Sequence, residues 1–194
     1  RGKQDGYELR KSLAAALQKE LSLSETQLEP ELQEWIGQQQ LNLKKDASGW
    51  LPQKPLRIQA SDTIEFEILD DHSALIVADK VSQPIYNAVI SPDPGMITAV
   101  RLEALTHESF GGGLTLENGN FILTDVRVEV SRKGRKKTTR LKLSRAGADY
   151  EQNGYPVAHA IDDVNTSGWG VDGHVKKEDR VAMFVLESPL VIHE

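Results

Sequence analysis

The chain has 194 residues, 39% hydrophobic and 27% charged, with no cysteine and a formal net charge of -6. This length suits one domain plus an extra segment, or two small domains, and is long enough to bury a core without staples. Zero cysteine excludes disulfides, thiolate metal sites, cysteine nucleophiles and covalent c-type haem attachment, and no apolar run reaches the ~18 residues of a membrane helix. The start at Arg1, with no methionine and no signal-peptide pattern, reads as a piece of something longer.

Residues 5–40 read as helix. Leu9, Leu13, Ala16, Leu17 and Leu21 follow helical spacing. Ser24 suits a cap for a second helix carrying Leu28, Leu32, Trp35 and Ile36, with Pro30 in its first turns and Gly37 at its end. Residues 1–49 are therefore expected to form a helical hairpin or linker, and 50–194 a separate β-domain.

From Trp50 the apolar period shortens to two. Strands are expected at Arg57–Ser61, Thr63–Leu69, Ala74–Val77, Ile85–Ile90, Ile97–Leu105, Asn120–Val130, Thr139–Leu143, Val181–Leu186 and Leu190–Ile192. Such short strands with turn chemistry between them predict an antiparallel sandwich or barrel. In Ile97–Leu105 the alternation puts Val100, Leu102 and Ala104 on one face and Arg101 and Glu103 on the other. Gly111-Gly112-Gly113 and Asn118-Gly119 mark a bent loop that could hold polar ligand groups. No G-x-G-x-x-G, Walker A, G-x-S-x-G or H-E-x-x-H motif occurs. His107-Glu108-Ser109 is a tempting triplet, but adjacent residues in a strand or loop are expected to point apart.

Ser131–Arg145 holds eight basic residues (Arg132, Lys133, Arg135, Lys136, Lys137, Arg140, Lys142, Arg145) and no acid, whereas the rest of the chain has 15 basic against 29 acidic residues. An acidic body thus carries one basic ribbon. It reads either as a polyanion contact or as a solvated hairpin whose charges discourage strand pairing. Further on, Asp162, Asp163, Asn165, Thr166 and Ser167 cluster among turn formers. Hard cations such as calcium want six to eight oxygens, which a compact loop can supply. The alternative is an Asx-turn loop without an ion. The EF-hand spacing is missing.

The order V-R-L-E-A-L, N-G-N-F-I-L-T-D-V, A-D-Y-E-Q-N-G-Y-P-V-A-H-A-I-D-D-V-N-T-S-G-W and R-V-A-M-F-V-L-E-S-P-L resembles the C-terminal region of large exported bacterial proteins, best known from planctomycetes. Those proteins join a cytochrome-c-like haem domain to two domains of unknown function. The resemblance implies a galactose-binding-like jelly-roll sandwich after an N-terminal helical segment. It also implies export, and a structural calcium in the loop of Asp162, Asp163, Asn165 and Ser167, with Asp163 standing where glycine is usual. Two departures matter: Gly111–Glu117 lacks the family's proline and arginine, and the family pattern continues beyond Leu190 with further strands.

Two functions follow as expectations. One is a non-catalytic carbohydrate-binding module with Trp169, His174, Asn118, Asn120, Arg101, Tyr86 and Tyr155 as ligand residues, favouring anionic polysaccharide because of the ribbon. The other is a structural domain that docks neighbouring domains of the same protein. Catalysis and nucleic-acid binding have less support in the residues, and no membrane span is expected.

Overall fold

The structure is a computed structural model. It describes residues 30, 32–34, 37, 50–61, 64–78, 83–132, 134 and 137–193. The chain divides into two compact units, Arg1–Leu51 and Pro52–Glu194. In the first, positions 30, 32–34 and 37 are helical. Gly37, expected to end the helix, is itself part of it. Leu9–Leu21, Ser24, Leu28, Trp35 and Ile36 lie outside the described residues.

The described residues are mainly β, 44% in strands and 9% in helix, and the strands lie in the second unit. Its strands are β1 (Arg57–Ala60), β2 (Glu65–Ile68), β3 (Ala74–Val77), β4 (Tyr86–Val89), β5 (Gly95–Ala104), β6 (Ile122–Leu123), β7 (Val128–Ser131), β8 (Thr138–Leu141), β9 (Leu143–Ala148), β10 (Trp169–Gly170) and β11 (Arg180–Ile192). Short 3-10 turns cover Glu108–Phe110 and Val157–Ile161. All described strand pairs are antiparallel: β1 with β4, β2 with β3, β6 with β10, β7 with β8, and a three-stranded sheet in the order β5-β11-β9.

β11 organises the core. Arg180, Ala182, Phe184 and Leu186 are buried in alternation, while Met183 is 39% exposed. This is the period-two pattern of a strand with one face inward. Val100, Leu102 and Ala104 of β5 stand opposite Phe184, Ala182 and Arg180, so the face read from the alternation is the core-side face. The expected strands at Val181–Leu186 and Leu190–Ile192 are one strand with a bulge. Val185 faces Ala99 and Leu190 faces Ile97, leaving Leu186–Pro189 opposite Thr98 alone. Pro189 falls where no ladder N–H is needed.

Beneath this sheet, Leu114, Val157, Ala160, Trp169, Val171, Ala182 and Phe184 form one apolar cluster. Trp169 and Phe184 are fully buried. The Trp169 indole meets Phe121 edge-to-face at 5.7 Å, and its Nε1–H donates to the Tyr150 carbonyl at 2.8 Å. Its polar handle is thus satisfied inside the core. The expected strand Asn120–Val130 breaks into β6 and β7, because Val126 N–H turns to the Ala160 carbonyl at 2.8 Å.

Candidate functional site

The proposed ligand residues separate into three places. Asn118, Asn120, Tyr155 and His174 gather where three loops meet. Asn118 Oδ1 accepts from Asn120 N–H at 3.0 Å, and Asn120 Oδ1 accepts from Gly173 N–H at 3.1 Å, which brings the neighbouring His174 to the same place. Asn120 Nδ2 donates to Gln152 Oε1 at 3.4 Å, and Gln152 pairs with Tyr155. The backbones of Gly119 and Gly173 touch, so a side chain on either would collide with the other's carbonyl oxygen. The amides here hold the loops to each other.

Trp169 lies directly below and presents no face to solvent. Stacking on a sugar needs an open ring face, so this structure makes Trp169 a core anchor, not a platform. Tyr86 is 43% exposed on β4, in a different sheet, with its edge against Phe66 at 5.9 Å.

Arg101 occupies the outward face of the three-stranded sheet. It stands opposite Met183, and Arg145 of β9 stands opposite Val185. Met183 and Val185 share the face turned away from Phe184, so Arg101 and Arg145 flank β11 on one outward surface. Arg101 also pairs with Glu103 at 2.9 Å. β9 follows directly on the basic hairpin β7–β8, so the ribbon's end runs onto this face. Arg132 and Lys137 are exposed at the hairpin's far end. Lys133, Arg135 and Lys136 lie outside the described residues. Two ribbon cations have acidic neighbours: Arg140 meets Asp163 at 2.7 Å and Lys142 meets Glu187 at 2.6 Å. These hydrogen-bonded pairs raise the pKa of both cations.

The loop after Val157–Ile161 shows how its oxygens are used. Asp162 Oδ1 accepts from Val164 N–H at 2.8 Å and Oδ2 from the Ser167 hydroxyl at 2.8 Å. The first bond, then the second, hold the Asp162 carboxyl below the usual carboxylate range. Asp163 adopts φ 60°, the left-handed conformation that a glycine would take without strain, and its carboxylate goes to Arg140. Asn165 is exposed. As placed, the Asp162 oxygens close an Asx turn and the Asp163 carboxylate pairs with a guanidinium. Among the described residues no cluster of three or more His, Cys, Asp or Glu is grouped for a metal.

The histidine triplet departs from expectation. His107 and Ser109 do not point apart: His107 Nδ1 is 2.7 Å from Ser109 Oγ and accepts Ser109 N–H at 3.2 Å. His107 is the N-cap of the Glu108–Phe110 turn, so the strand rule does not govern it. The N–H groups of Gly111, Gly112 and Gly113 are spent on Glu108, His107 and Phe110 carbonyls. They are unavailable as an oxyanion hole, and the pair acts as a cap.

One cluster escaped sequence reasoning. Arg180 is 3% exposed and lies 4.7 Å from the Tyr150 ring centre, with Lys176 Nζ at 4.2 Å from the same ring. Its Nη1 donates to Glu178 at 3.2 Å and to the Asp179 carbonyl at 3.1 Å. Tyr150 donates to Asp172 at 2.7 Å, which raises its pKa. An arginine opening an apolar strand was the only sequence signal.

No protein-family model, curated protein or solved structure matches the chain. No helix among the described residues is long and apolar enough to cross a membrane.

Proposed function

We propose that the β unit is a non-catalytic binding module for an anionic polysaccharide, within a larger exported multidomain protein. One observation carries the reading: Arg101 and Arg145 flank β11 on one outward face that continues the basic hairpin. An extended polyanion suits an open cationic track better than a closed pocket does. With Trp169 buried, contact relies on charge and hydrogen bonds, with little aromatic stacking. The galactose-binding-like jelly roll belongs to the same proposal, supported by the antiparallel sheets and the motif order.

Affinity electrophoresis in gels containing a sulfated glycan, a polyuronate or a neutral glucan tests it. The expected result is retardation by the anionic polymers only, weakening with added salt and reduced in Arg145→Ala. Equal retardation by the neutral glucan, or none by any polymer, overturns it. Preferential retardation by DNA would move the reading to nucleic acid.

A second reading, docking onto a neighbouring domain, draws on β1–β4. Leu56, Ile85, Val89 and Ile90 are 71%, 66%, 41% and 43% exposed along that strand pair.

A further inference from the structure

The three-stranded sheet has two outer edges, and they differ. The β9 edge is short, carries Arg145 and follows Lys142, which are devices that discourage strand addition. β5 is longer, and its two charged residues, Arg101 and Glu103, pair with each other at 2.9 Å. It spans Gly95–Ala104 without proline or lysine, and the register irregularity opposite it belongs to β11. Among the described residues no strand pairs with its outer side. A long edge of this kind is a template for another strand.

Its sequence selects the occupant. When two copies of one strand pair antiparallel about a two-fold axis, opposite residues share a face and the axis passes through a residue paired with itself. With the axis at Ala99, Met96 stands opposite the second copy's Leu102, and symmetry repeats the contact. These two side chains are 67% and 39% exposed. In the same register Ile97 faces the aliphatic stem of Arg101, and Thr98 faces Val100. Moving the axis to Arg101 sets two guanidinium groups against each other. Moving it to Val100 leaves Met96 opposite Ala104 and Leu102 opposite Thr98.

We infer that the protein forms a two-fold dimer by antiparallel pairing of β5 edges in the register centred on Ala99, closed on the core side by Met96 and Leu102. The dimer is a continuous six-stranded sheet. It is independent of the polysaccharide reading.

The absence of cysteine makes a sharp test possible. Opposite residues in such a pair have Cβ atoms about 4.5–5.5 Å apart, within reach of a disulfide. Ala99→Cys is expected to oxidise to a covalent homodimer, and Gly95→Cys, far from the axis, is not. Sedimentation of the unmodified chain over micromolar to submillimolar concentrations should show a species of twice 21.5 kDa. Met96→Lys should raise the dissociation constant about tenfold or more with unchanged circular dichroism. Adding Leu102→Glu to Met96→Lys should restore dimerisation through the new opposite-charge pairs. A monomer at every concentration overturns the inference. So does a dimer indifferent to Met96→Lys, or equal crosslinking at Gly95→Cys.

Discussion

At the scale of single residues, Trp169 shows why an aromatic in a turn-rich motif is ambiguous. A sugar platform and a core anchor both want a large ring with one polar handle. What decides is tertiary: the indole is enclosed by the cluster around Phe184 and Val171 and bonded to Tyr150. Trp169→Ala is therefore expected to cost about 3–5 kcal/mol in urea unfolding. Loss of polymer binding in that variant would track unfolding. Asp163 gives an opposite expectation. Its left-handed backbone costs about 1 kcal/mol for a residue with a Cβ. Asp163→Gly should recover part of that while releasing Arg140, whose exposed pair contributes little. The turn formers around it made a bend legible before any coordinates. The use of the carboxylate for Arg140, 23 residues away, was not.

Acid sensitivity also belongs to this scale. Hydrogen bonds from Val164 and Ser167 lower the pKa of Asp162, and those from Ser73 lower that of Asp71. A carboxyl whose folded value is depressed stabilises the fold fully above its ordinary value, about 4. That contribution is lost as the pH falls through the lowered folded value. The melting temperature should therefore decline on acidification below about pH 4. Asp162→Asn, which keeps an acceptor for Val164 N–H, should flatten the decline. An unchanged acid limb would count against the turn.

At the scale of elements, alternation was informative where one face is buried and silent elsewhere. Val100, Leu102 and Ala104 were placed correctly on one face, the face of Phe184 and Ala182, although Leu102 is 39% exposed. β9 was missed beyond Leu143. Its run Ala146-Gly147-Ala148 has weak strand preference and is a strand because β11 pairs with it. His107 and Ser109 were misread because a cap obeys turn geometry. The loop cluster was half legible: Asn118-Gly119 announced a turn, but nothing in sequence announced that Gly173 would touch it. Gly173→Ala should be strongly destabilising by thermal melting, because its Cβ collides with backbone that cannot yield. Gly147→Ala, where a Cβ meets open space, should be neutral or stabilising by about 0.4–1 kcal/mol.

At the scale of the whole molecule, the net charge of -6 averages an acidic body and a basic ribbon. The ribbon is less free than its composition suggested, since Arg140 and Lys142 already face carboxylates. Anion binding should therefore depend mainly on Arg132, Lys137 and Arg145. Calorimetry at rising salt should show affinity falling as these charges are screened. Millimolar calcium should leave the melting temperature unchanged as long as Asp163 keeps its contact with Arg140. A clear rise would show that a cation displaces the Arg140 contact.

β11 also sets the timing of folding. It lies in the middle of its sheet yet follows both of its partners in the chain. During synthesis β5 and β9 emerge first and have no ladder to join until Arg180–Ile192 is made. Pairing over such sequence separations is slow, and the waiting strands are exposed to other chains. A ribosome stalled before Arg180 would hold a chain with both strands bare. The nascent protein is thus most vulnerable to aggregation just before its central strand is complete.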